Sequence, residues 1–176
     1  NWEYLAQYFG IRYKMKYPAI AKKMRNPLVD KYITTCRNRF GYMYPLYMDK
    51  NMKEVIKILN SGKPMLLLAD QSAPQESMYI NFFNRPATTF QGPAVFALKC
   101  NAKMRLVLMI RERDDKLRLI HEEIRTDDLN KASDDNIYEL SKRHVELLEK
   151  YIRKYPEQWL WSHRRWKHSD KYEIFG

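Results

Sequence analysis

Short apolar runs alternate with amphipathic segments along the chain, and glycine and proline residues separate them. Runs that are continuously apolar, or that alternate with polar residues, predict β-strands over 18–24, 42–48, 63–69, 105–111 and 116–121. Apolar residues at helical spacing, with capping or breaking residues at the ends, predict α-helices over 2–9, 27–40, 51–59, 91–101 and 134–154. Asp49 is the expected N-cap of the third helix, and Asp114 with Asp115 is expected to form the turn between the last two strands.

The segment 134–154 has the clearest helical pattern, because its apolar residues recur near helical spacing and charged residues lie elsewhere. Strands that alternate with helices predict an α/β fold with a mixed, mostly parallel sheet flanked by helices on both faces. The predicted strand pair around Asp114 and Asp115 is the antiparallel part of this mixed sheet. The 176 residues are enough for a sizeable core, so a single domain over 1–176 is expected.

The apolar run 65–69 stops abruptly at Asp70 and Gln71, and this transition is the most informative local feature of the chain. The pattern predicts a buried strand whose C-terminal end delivers polar groups to a crevice. Open α/β sheets bind their ligands at such strand ends. A capping role for Asp70 in the following loop is the alternative, and the residues alone leave it open.

The chain is strongly basic, since 32 lysine and arginine residues against 21 aspartate and glutamate residues give a formal charge of +11. The excess predicts acidic partners: nucleic acid, anionic lipid head groups, phosphorylated substrates or an acidic carrier protein. It is concentrated in 11–40, where nine basic residues accompany the single acid Asp30. This stretch is either a solvated basic face or a surface that faces phosphates.

Cysteine and histidine usage argues against a metal centre. Cys36 and Cys100 provide neither a disulfide framework nor metal-ligand spacing, which favours a reducing compartment. The four histidines show no zinc pattern, so no metal is expected. No run approaches the roughly 18 apolar residues that a membrane-spanning helix needs, and no signal peptide is visible.

Six short motifs follow one another in an order that resembles a known enzyme family. They are Asn-Trp-Glu at 1–3, Asp-Gln at 70–71, the block 82–87, Gly-Pro-Ala at 92–94, Pro-Glu-Gln-Trp-Leu-Trp at 156–161 and His-Arg-Arg-Trp-Lys at 163–167. Nearly from end to end, the chain resembles the bacterial lipid A biosynthesis (lauroyl or myristoyl) acyltransferases, a branch of the lysophospholipid acyltransferase superfamily. The resemblance implies a glycerol-3-phosphate acyltransferase-like fold. It also implies transfer of a fatty acyl chain from acyl carrier protein or acyl-CoA to a hydroxyl of a lipid A precursor.

The resemblance further implies the surroundings of the enzyme. Because the thioester donor is already activated, no cofactor is expected. A phosphorylated lipid acceptor and a membrane surface are the other expected partners, at the cytoplasmic face of the bacterial inner membrane. A different lipid acceptor, a lysophospholipid or an aminolipid, is the alternative within the same superfamily.

A histidine and an acidic residue perform the chemistry in the resembling family, within a His-x-x-x-x-Asp/Glu motif that often reads His-x-Gly-Asn-Trp-Glu. The histidine acts as general base on the acceptor hydroxyl, and the acid orients its ring. Glu3 matches the acid, and the histidine is expected three residues before Asn1. We therefore expect an N-terminally truncated fragment that is inactive alone, with a hydrophobic anchoring helix further upstream. Asp70 is the second expected catalytic residue.

The family pattern also implies substrate-binding positions. The planar fork of arginine suits phosphate oxygens, and free backbone N–H groups at a helix start can hold an oxyanion. For the arginines the alternative is surface solubility, and for Phe83 it is a place in the core. The expected binding residues are Arg25, Asn26, Arg37, Arg39, Gln71, Phe83, Arg85, Gly92, Arg164 and Arg165.

A second match to the histidine motif lies within the best predicted helix, where His144 precedes Glu149 by five residues. Residues five apart in a continuous helix point about 140° away from each other. The two side chains would not converge, so we expect no catalytic pair there.

Three tryptophans interleave with basic residues between 159 and 167. This combination suits a membrane–water interface or stacking on single-stranded nucleic acid, and packing on the core is the third interpretation. A nucleic-acid-binding module is the competing function. The chain shows no RNP-type aromatic strand, zinc pattern or Gly-x-x-Gly clamp, so no nucleic-acid partner is expected.

Overall fold

The computed structural model describes residues 1–47 and 52–174 and confirms a mixed α/β fold. The expected N-cap Asp49 lies outside these residues, as do positions 48 and 51 at the ends of a predicted strand and helix. The chain forms two compact units. Unit 1 contains Asn1–Leu67 and Leu108–Ile120, and unit 2 contains Leu68–Val107 and the chain from His121 onward. The single domain over 1–176 stays a prediction.

Five α-helices and six strands lie within the described residues. The helices are α1 (Trp2–Tyr13), α2 (Pro27–Arg37), α3 (Met52–Asn60), α4 (Gly92–Lys99) and α5 (Asp134–Lys154). The strands are β1 (Tyr17–Ala21), β2 (Met43–Tyr47), β3 (Tyr79–Phe82), β4 (Arg85–Thr88), β5 (Met104–Arg111) and β6 (Leu117–Ile124). Each predicted helix overlaps an observed one, and α5 has the predicted bounds. None of the described helices combines the length and apolar character needed to cross a membrane.

Parallel strand pairing organises unit 1. β1 pairs in parallel with β2, and Tyr17 lies opposite Met43. Leu66 extends this arrangement through a parallel bridge to Ala19, in which Ile20 N donates to the Leu66 carbonyl over 3.2 Å. In chain order, α2 lies between β1 and β2, and α3 lies between β2 and this bridge. Unit 1 therefore contains the alternation of strand and helix that the sequence predicts.

The predicted buried strand over 63–69 is wrong in extent. Only the bridge at Leu66 forms, and Leu68 is 45% exposed. A continuous apolar run forms a buried strand only where other segments cover it, and Pro64 has no N–H to donate to a neighbouring strand. The described strands form three two-stranded sheets, so the single, mostly parallel sheet with helices on both faces is not seen among them.

The core of unit 1 lies where α1 meets β1 and β2. Ala6, Tyr17 and Met43 are buried together, and the Tyr17 hydroxyl donates a hydrogen bond to the Ala6 carbonyl. Burial raises the pKa of Tyr17 to about 12, so the phenol keeps its proton and remains a donor. Gly10 is buried on the same helix, against the side chain of Tyr42.

Unit 2 contains a two-residue hairpin that the sequence pattern does not reveal. β3 and β4 pair antiparallel, and Phe83 and Asn84 form the turn between them. Both turn residues have left-handed backbone conformations, with φ of 51° and 60°. Glycine and asparagine usually occupy such turns, so the phenylalanine gives no turn signal.

The long helix α5 packs on β3 and on α4 in unit 2. Its core positions fall on the face that the apolar spacing predicts, with Leu140 fully buried and Phe82 of β3 equally enclosed. β5 and β6 form a hairpin, as predicted. Asp114 and Asp115 both take left-handed backbone conformations at its tip, which confirms the predicted turn.

Replacement of Gly10 by alanine is expected to destabilise the protein by about 1–3 kcal/mol, because the added methyl group would overlap the Cβ of Tyr42. An ordinary helical glycine behaves in the opposite way, since alanine there stabilises by up to about 1 kcal/mol. Chemical denaturation measures the change in the free energy of unfolding. Gly92→Ala is the matched control, because its added Cβ would meet Phe96 at an ordinary 3.8 Å. Equal stabilities of the two variants would contradict the packing at Gly10.

Candidate active site

Glu3, in the first turn of α1, forms a bidentate ion pair with Arg37, the last residue of α2. Arg37 Nη2 lies 2.7 Å from Glu3 Oε1, and Arg37 Nε lies 3.1 Å from Oε1 and 3.3 Å from Oε2. The guanidinium thus presents its planar fork to the carboxylate, the geometry that favours strong binding. The side chains of Arg37 and Glu3 are 24% and 46% exposed, so the pair is partly shielded from water.

Neighbouring side chains hold this ion pair in place. The guanidinium carbon of Arg37 lies 5.0 Å from the ring centroid of Trp2, and Gln7 Nε2 donates to the Arg37 carbonyl over 2.7 Å. Asn1 Nδ2 donates to the Met109 carbonyl over 3.1 Å. All three residues of the first motif are therefore anchored within unit 1. A carboxylate has about four lone-pair positions, so the one in this pair can also accept a hydrogen bond from an imidazole.

The other predicted binding residues of unit 1 lie just outside the two ends of α2. Asn26 is the N-cap, and its side-chain oxygen accepts hydrogen bonds from two backbone N–H groups in the first turn, at 2.9 and 3.4 Å. Arg25 is exposed beside it. Arg39 is also exposed, with its guanidinium carbon 5.9 Å from the ring of Phe40. Asn26 therefore has a structural role, and both arginines present cations to solvent.

Arg165 is the charged side chain buried most deeply among the described residues of unit 2, with 1% of its surface exposed. Its Nη1 donates to the Thr88 carbonyl over 2.6 Å, and its Nη2 donates to Thr89 Oγ1 over 3.1 Å. Its guanidinium carbon lies 5.0 Å from the ring centroid of Phe82. The structure thus places this predicted binding residue in the interior, where it joins the C-terminal segment to the end of β4.

Asp70 lies within electrostatic range of the buried guanidinium. Burial lowers the pKa of Arg165 to about 10, and the negative charge of Asp70 opposes this decrease. Arg165 therefore remains charged at neutral pH. Its Nε has no hydrogen-bond partner within the described part of the chain, which is rare for a buried donor. Asp70 itself is half-buried, and Gln71 beside it is exposed.

His144 is buried on α5, and its ring is neutral. Burial, and then the charge of Arg165, lowers the pKa of His144 to about 4. Glu149, the other end of the second motif match, accepts a hydrogen bond from the Phe83 backbone N–H over 2.7 Å. The two residues therefore have separate surroundings, in agreement with the expectation that they form no catalytic pair.

Phe83 lies half-buried at the tip of the β3–β4 hairpin, among groups from three segments. Its ring meets Phe82 edge-on at a centroid distance of 4.8 Å, and lies 6.3 Å from the ring of Trp161. The guanidinium carbon of Arg153 on α5 lies 4.7 Å from the Phe83 ring. Sequence reasoning assigns no role to Arg153 or Glu149, because their contacts with the hairpin depend on how α5 packs.

Three further predicted binding residues of unit 2 lie at or near its surface. Arg85 Nη2 lies 3.1 Å from Asp170 Oδ1, and both side chains are largely exposed. Gly92 is the first residue of α4, and Arg164 is exposed beside the buried Arg165. Exposed ion pairs contribute little to stability, so Arg85 can exchange its carboxylate partner for an anionic ligand.

The C-terminal tryptophans pack mainly within unit 2. Trp166 Nε1 donates to the Phe82 carbonyl over 3.0 Å, and Trp159 also lies against Phe82, with ring centroids 6.0 Å apart. Trp161 is 53% exposed, and its Nε1 donates to the Pro156 carbonyl over 2.7 Å. Core packing, the third interpretation of these tryptophans, therefore describes Trp159 and Trp166.

The chemistry available to these groups is that of carboxylates, guanidinium groups and amides. Within 1–47 and 52–174, no group of three or more histidine, cysteine or carboxylate side chains is arranged to hold a metal ion. A carboxylate fixed by arginine can orient an imidazole and stabilise its charged form. Exposed arginines around it can bind phosphate oxygens.

A comparison with protein families shows that the chain is of a class of acyltransferases that act on lipid. The chain belongs to the bacterial lipid A biosynthesis acyltransferase family, whose family model matches residues 1–168. A comparison with curated proteins finds no match to the chain. The match to the family extends over both units and includes the motifs of Glu3, Asp70 and Arg165.

The buried His144 is expected to make stability depend on pH between about 4 and 6.5. In the unfolded chain the imidazole binds a proton near its ordinary pKa of 6.5, whereas the folded protein keeps the ring neutral down to about pH 4. The unfolded state therefore binds more protons in this window. The free energy of unfolding falls by about 3 kcal/mol as the pH falls through it.

Urea denaturation at a series of pH values measures this dependence. His144→Gln cannot titrate, so its stability is expected to fall less steeply over the same window. Equal slopes for the two proteins would show that the imidazole is not held neutral in the folded state.

Replacement of Arg165 by lysine is expected to destabilise the protein by about 2–4 kcal/mol, because an ammonium group cannot reproduce the forked contacts with Thr88 and Thr89. Arg164→Lys is the matched control: this neighbour is exposed, and the same substitution is expected to change stability by less than about 0.5 kcal/mol. Urea denaturation measures both. A loss shared equally by the two variants would contradict the interior role of Arg165.

Proposed function

We propose that this protein transfers a fatty acyl chain from the thioester of acyl carrier protein or acyl-CoA to a hydroxyl of a lipid A precursor. The observation that carries the proposal is the bidentate Glu3–Arg37 pair in the first motif of a chain from this acyltransferase family. A fixed carboxylate is what a catalytic histidine needs for its orientation. A glycerol-3-phosphate acyltransferase-like sheet belongs to the same proposal, supported by the parallel order of β2, β1 and Leu66.

In the proposed reaction, the histidine expected three residues before Asn1 removes the proton from the acceptor hydroxyl. The hydroxyl oxygen then forms a bond to the thioester carbonyl carbon, and negative charge moves to the carbonyl oxygen. When this tetrahedral intermediate collapses, the carbon–sulfur bond breaks and the protonated histidine returns its proton to the leaving thiolate. Glu3 accepts a hydrogen bond from the other ring nitrogen and stabilises the imidazolium between these steps. The reaction as proposed uses no cofactor.

Arg37 is proposed as a positioning residue for Glu3. Its fork fixes the plane of the carboxylate, and Trp2 and Gln7 in turn fix the position of Arg37. The carboxylate therefore keeps one orientation, and its remaining lone pairs stay available to the imidazole. Arg37 thus supports the reaction through Glu3 instead of through a substrate phosphate.

Acceptor phosphates are the proposed ligands of the exposed arginines. Arg25 and Arg39 in unit 1, and Arg85 and Arg164 in unit 2, are exposed cations of a chain with a net charge of +11. The remaining residues follow the family pattern, and we propose that they support substrate binding within their own units, with Asp70 in a catalytic role and Arg165 acting from the interior through the segments it holds. Asn26 belongs to unit 1, and Asp70, Gln71, Phe83, Gly92 and Arg165 belong to unit 2.

We further propose that the reaction takes place at the cytoplasmic face of the bacterial inner membrane. Membership of a lipid A acyltransferase family supports a lipid acceptor, and such an acceptor resides in a membrane. A lysophospholipid or an aminolipid is the alternative acceptor. The basic charge suits the two phosphate-bearing acceptors, the lipid A precursor and the lysophospholipid.

The decisive experiment measures acyl transfer by the protein with the sequence upstream of Asn1 that contains the expected histidine. Acyl carrier protein thioesters and a tetra-acylated lipid A precursor are incubated with it, and product mass is followed. Glu3→Gln is expected to lower kcat by about 10²–10⁴-fold, the range that general acid–base groups contribute. Arg12→Met, an exposed cation on the same helix, is the control and is expected to retain activity.

The role of Arg37 is tested by a double-mutant cycle. If Arg37 acts through Glu3, Arg37→Met lowers kcat in the wild-type protein but has little further effect in the Glu3→Gln background. Independent, additive losses would instead favour direct contact of Arg37 with substrate. Transfer to other lipids but not to the lipid A precursor would support the acyltransferase activity and would reject the lipid A precursor as its acceptor. Absence of reaction with any thioester would reject the proposed activity.

A further inference from the structure

The helix α2 has an outer face that residues 1–47 and 52–174 leave open. No residue of this helix is buried, and all eleven of its residues lie in the described part of the chain. Leu28 and Tyr32, one helical turn apart, are 78% and 71% exposed. The half-buried positions 30, 33, 34 and 37 recur on the opposite face, which includes the Arg37 partner of Glu3. Two large apolar side chains therefore point away from unit 1 on the same side of the helix.

The segment before α2 is tied to its first turn. Asp30 Oδ1 accepts a hydrogen bond from Met24 N over 2.8 Å, and Asn26 caps the helix. Met24 is 45% exposed, so a third apolar side chain lies in solvent near this end of the helix. Asp30 is the only acid between positions 11 and 40, and this bond engages its carboxylate with the protein backbone.

Exposed lysines accompany these apolar side chains. Lys22, Lys23 and Lys31 are all exposed, and none of them forms an ion pair within residues 1–47 and 52–174. We define the α2 surface by three apolar and three basic members: Lys22, Lys23, Met24, Leu28, Lys31 and Tyr32. Apolar side chains that can enter a lipid layer, next to lysines that can reach its phosphates, are typical of helices that lie in a membrane interface.

We propose that the α2 surface docks the protein on a bilayer that contains anionic lipids. This inference deepens the proposed function, on which it rests for the presence of a lipid substrate. Leu28, Tyr32 and Met24 enter the interface between head groups and acyl chains, and the three lysines contact lipid phosphates. An acidic protein would also attract the lysines. Charge attraction alone, however, does not explain why Leu28 and Tyr32 are so exposed.

Docking through this surface would hold the Glu3–Arg37 pair close to the bilayer, on the opposite face of the same helix. Arg37 ends the same helix nine residues beyond Leu28, a distance of about 13 Å along the helix axis. A head group bound near the first turn of α2 would therefore lie within one lipid length of the carboxylate. The helix would act as a rigid spacer between the docking surface and the candidate active site of unit 1.

Vesicle co-sedimentation tests the proposal with the 176-residue chain. The vesicles contain phosphatidylcholine alone, or an equimolar mixture of phosphatidylcholine and phosphatidylglycerol. The apolar variant is Leu28→Gln with Tyr32→Gln, and the basic variant is Lys22→Gln with Lys23→Gln. Because none of these side chains is buried, both variants are expected to keep the wild-type circular dichroism and thermal unfolding.

Matched controls come from unit 2. Tyr138→Gln with Leu160→Gln removes an exposed tyrosine and an exposed leucine, which are 44% and 62% exposed, from outside the α2 surface. A second comparison, Tyr8→Gln with Ile11→Gln, removes exposed apolar side chains from α1, which are 38% and 46% exposed. These two variants separate a specific surface from a general effect of lost hydrophobic area.

The wild-type chain is expected to bind the mixed vesicles more tightly than phosphatidylcholine alone. The apolar variant is expected to lose on the order of tenfold in partitioning, and the basic variant is expected to lose the preference for anionic lipid. Unchanged binding by both variants, or equal loss in either control, would overturn the proposal. A third result would also overturn the proposal: the wild-type chain binds isolated acyl carrier protein but not vesicles, and these same variants abolish that binding.

Acyl transfer in detergent micelles separates this inference from the proposed function. If the docking variants keep wild-type transfer to solubilised acceptor but lose vesicle binding, the α2 surface serves docking alone, as proposed. If the protein binds anionic vesicles but transfers no acyl chain, the docking surface stands and the proposed activity fails. If transfer occurs but the variants bind vesicles like the wild type, the activity stands and the docking surface is rejected.

Discussion

A single guanidinium group removed from water determines much of the arrangement of unit 2. Arg165 is buried and charged, and a buried cation needs acceptors and a compensating charge. The Thr88 carbonyl and the Thr89 hydroxyl supply the acceptors, and the carboxylate of Asp70 supplies the charge, from two points of the chain. The C-terminal segment is thereby joined to the end of the β3–β4 hairpin and to the residues that follow Leu68. Any rearrangement that separates these segments leaves a charge without partners in the interior.

Unit 1 depends on a second arginine, but at a half-exposed position. Arg37 connects the first turn of α1 with the last turn of α2, and the ring of Trp2 covers its guanidinium group. The two arginines differ in what they can do. Arg165 is enclosed, and its contacts hold segments together, whereas the pair of Arg37 with Glu3 keeps access to solvent and to further hydrogen bonds. A carboxylate in such a pair is fixed in direction without being closed to a reacting group.

Local pattern predicted the elements well where the pattern was strong and failed where long-range contacts decided the outcome. The apolar spacing of 134–154 defines α5, whereas the run 65–69 forms only a bridge at Leu66 because pairing partners cannot be known from one segment. The β3–β4 hairpin was hidden because Phe83 is not a turn residue. The motif identifies Glu3, but it does not reveal the pairing with Arg37, because Arg37 lies 34 positions away. Arginine is rarely buried, so nothing in the sequence marked Arg165 as an interior residue.

The turn at Phe83 has a consequence for the order in which unit 2 opens. A bulky residue in the left-handed region carries backbone strain of about 1–2 kcal/mol, which only its surroundings can offset. Those surroundings are the hydrogen bond to Glu149 and the ring contacts with Phe82 and Arg153. The turn is thus a locally frustrated element whose native shape is imposed by α5. When α5 moves away, the hairpin tip loses the contacts that offset this strain, so the turn is expected to relax together with α5.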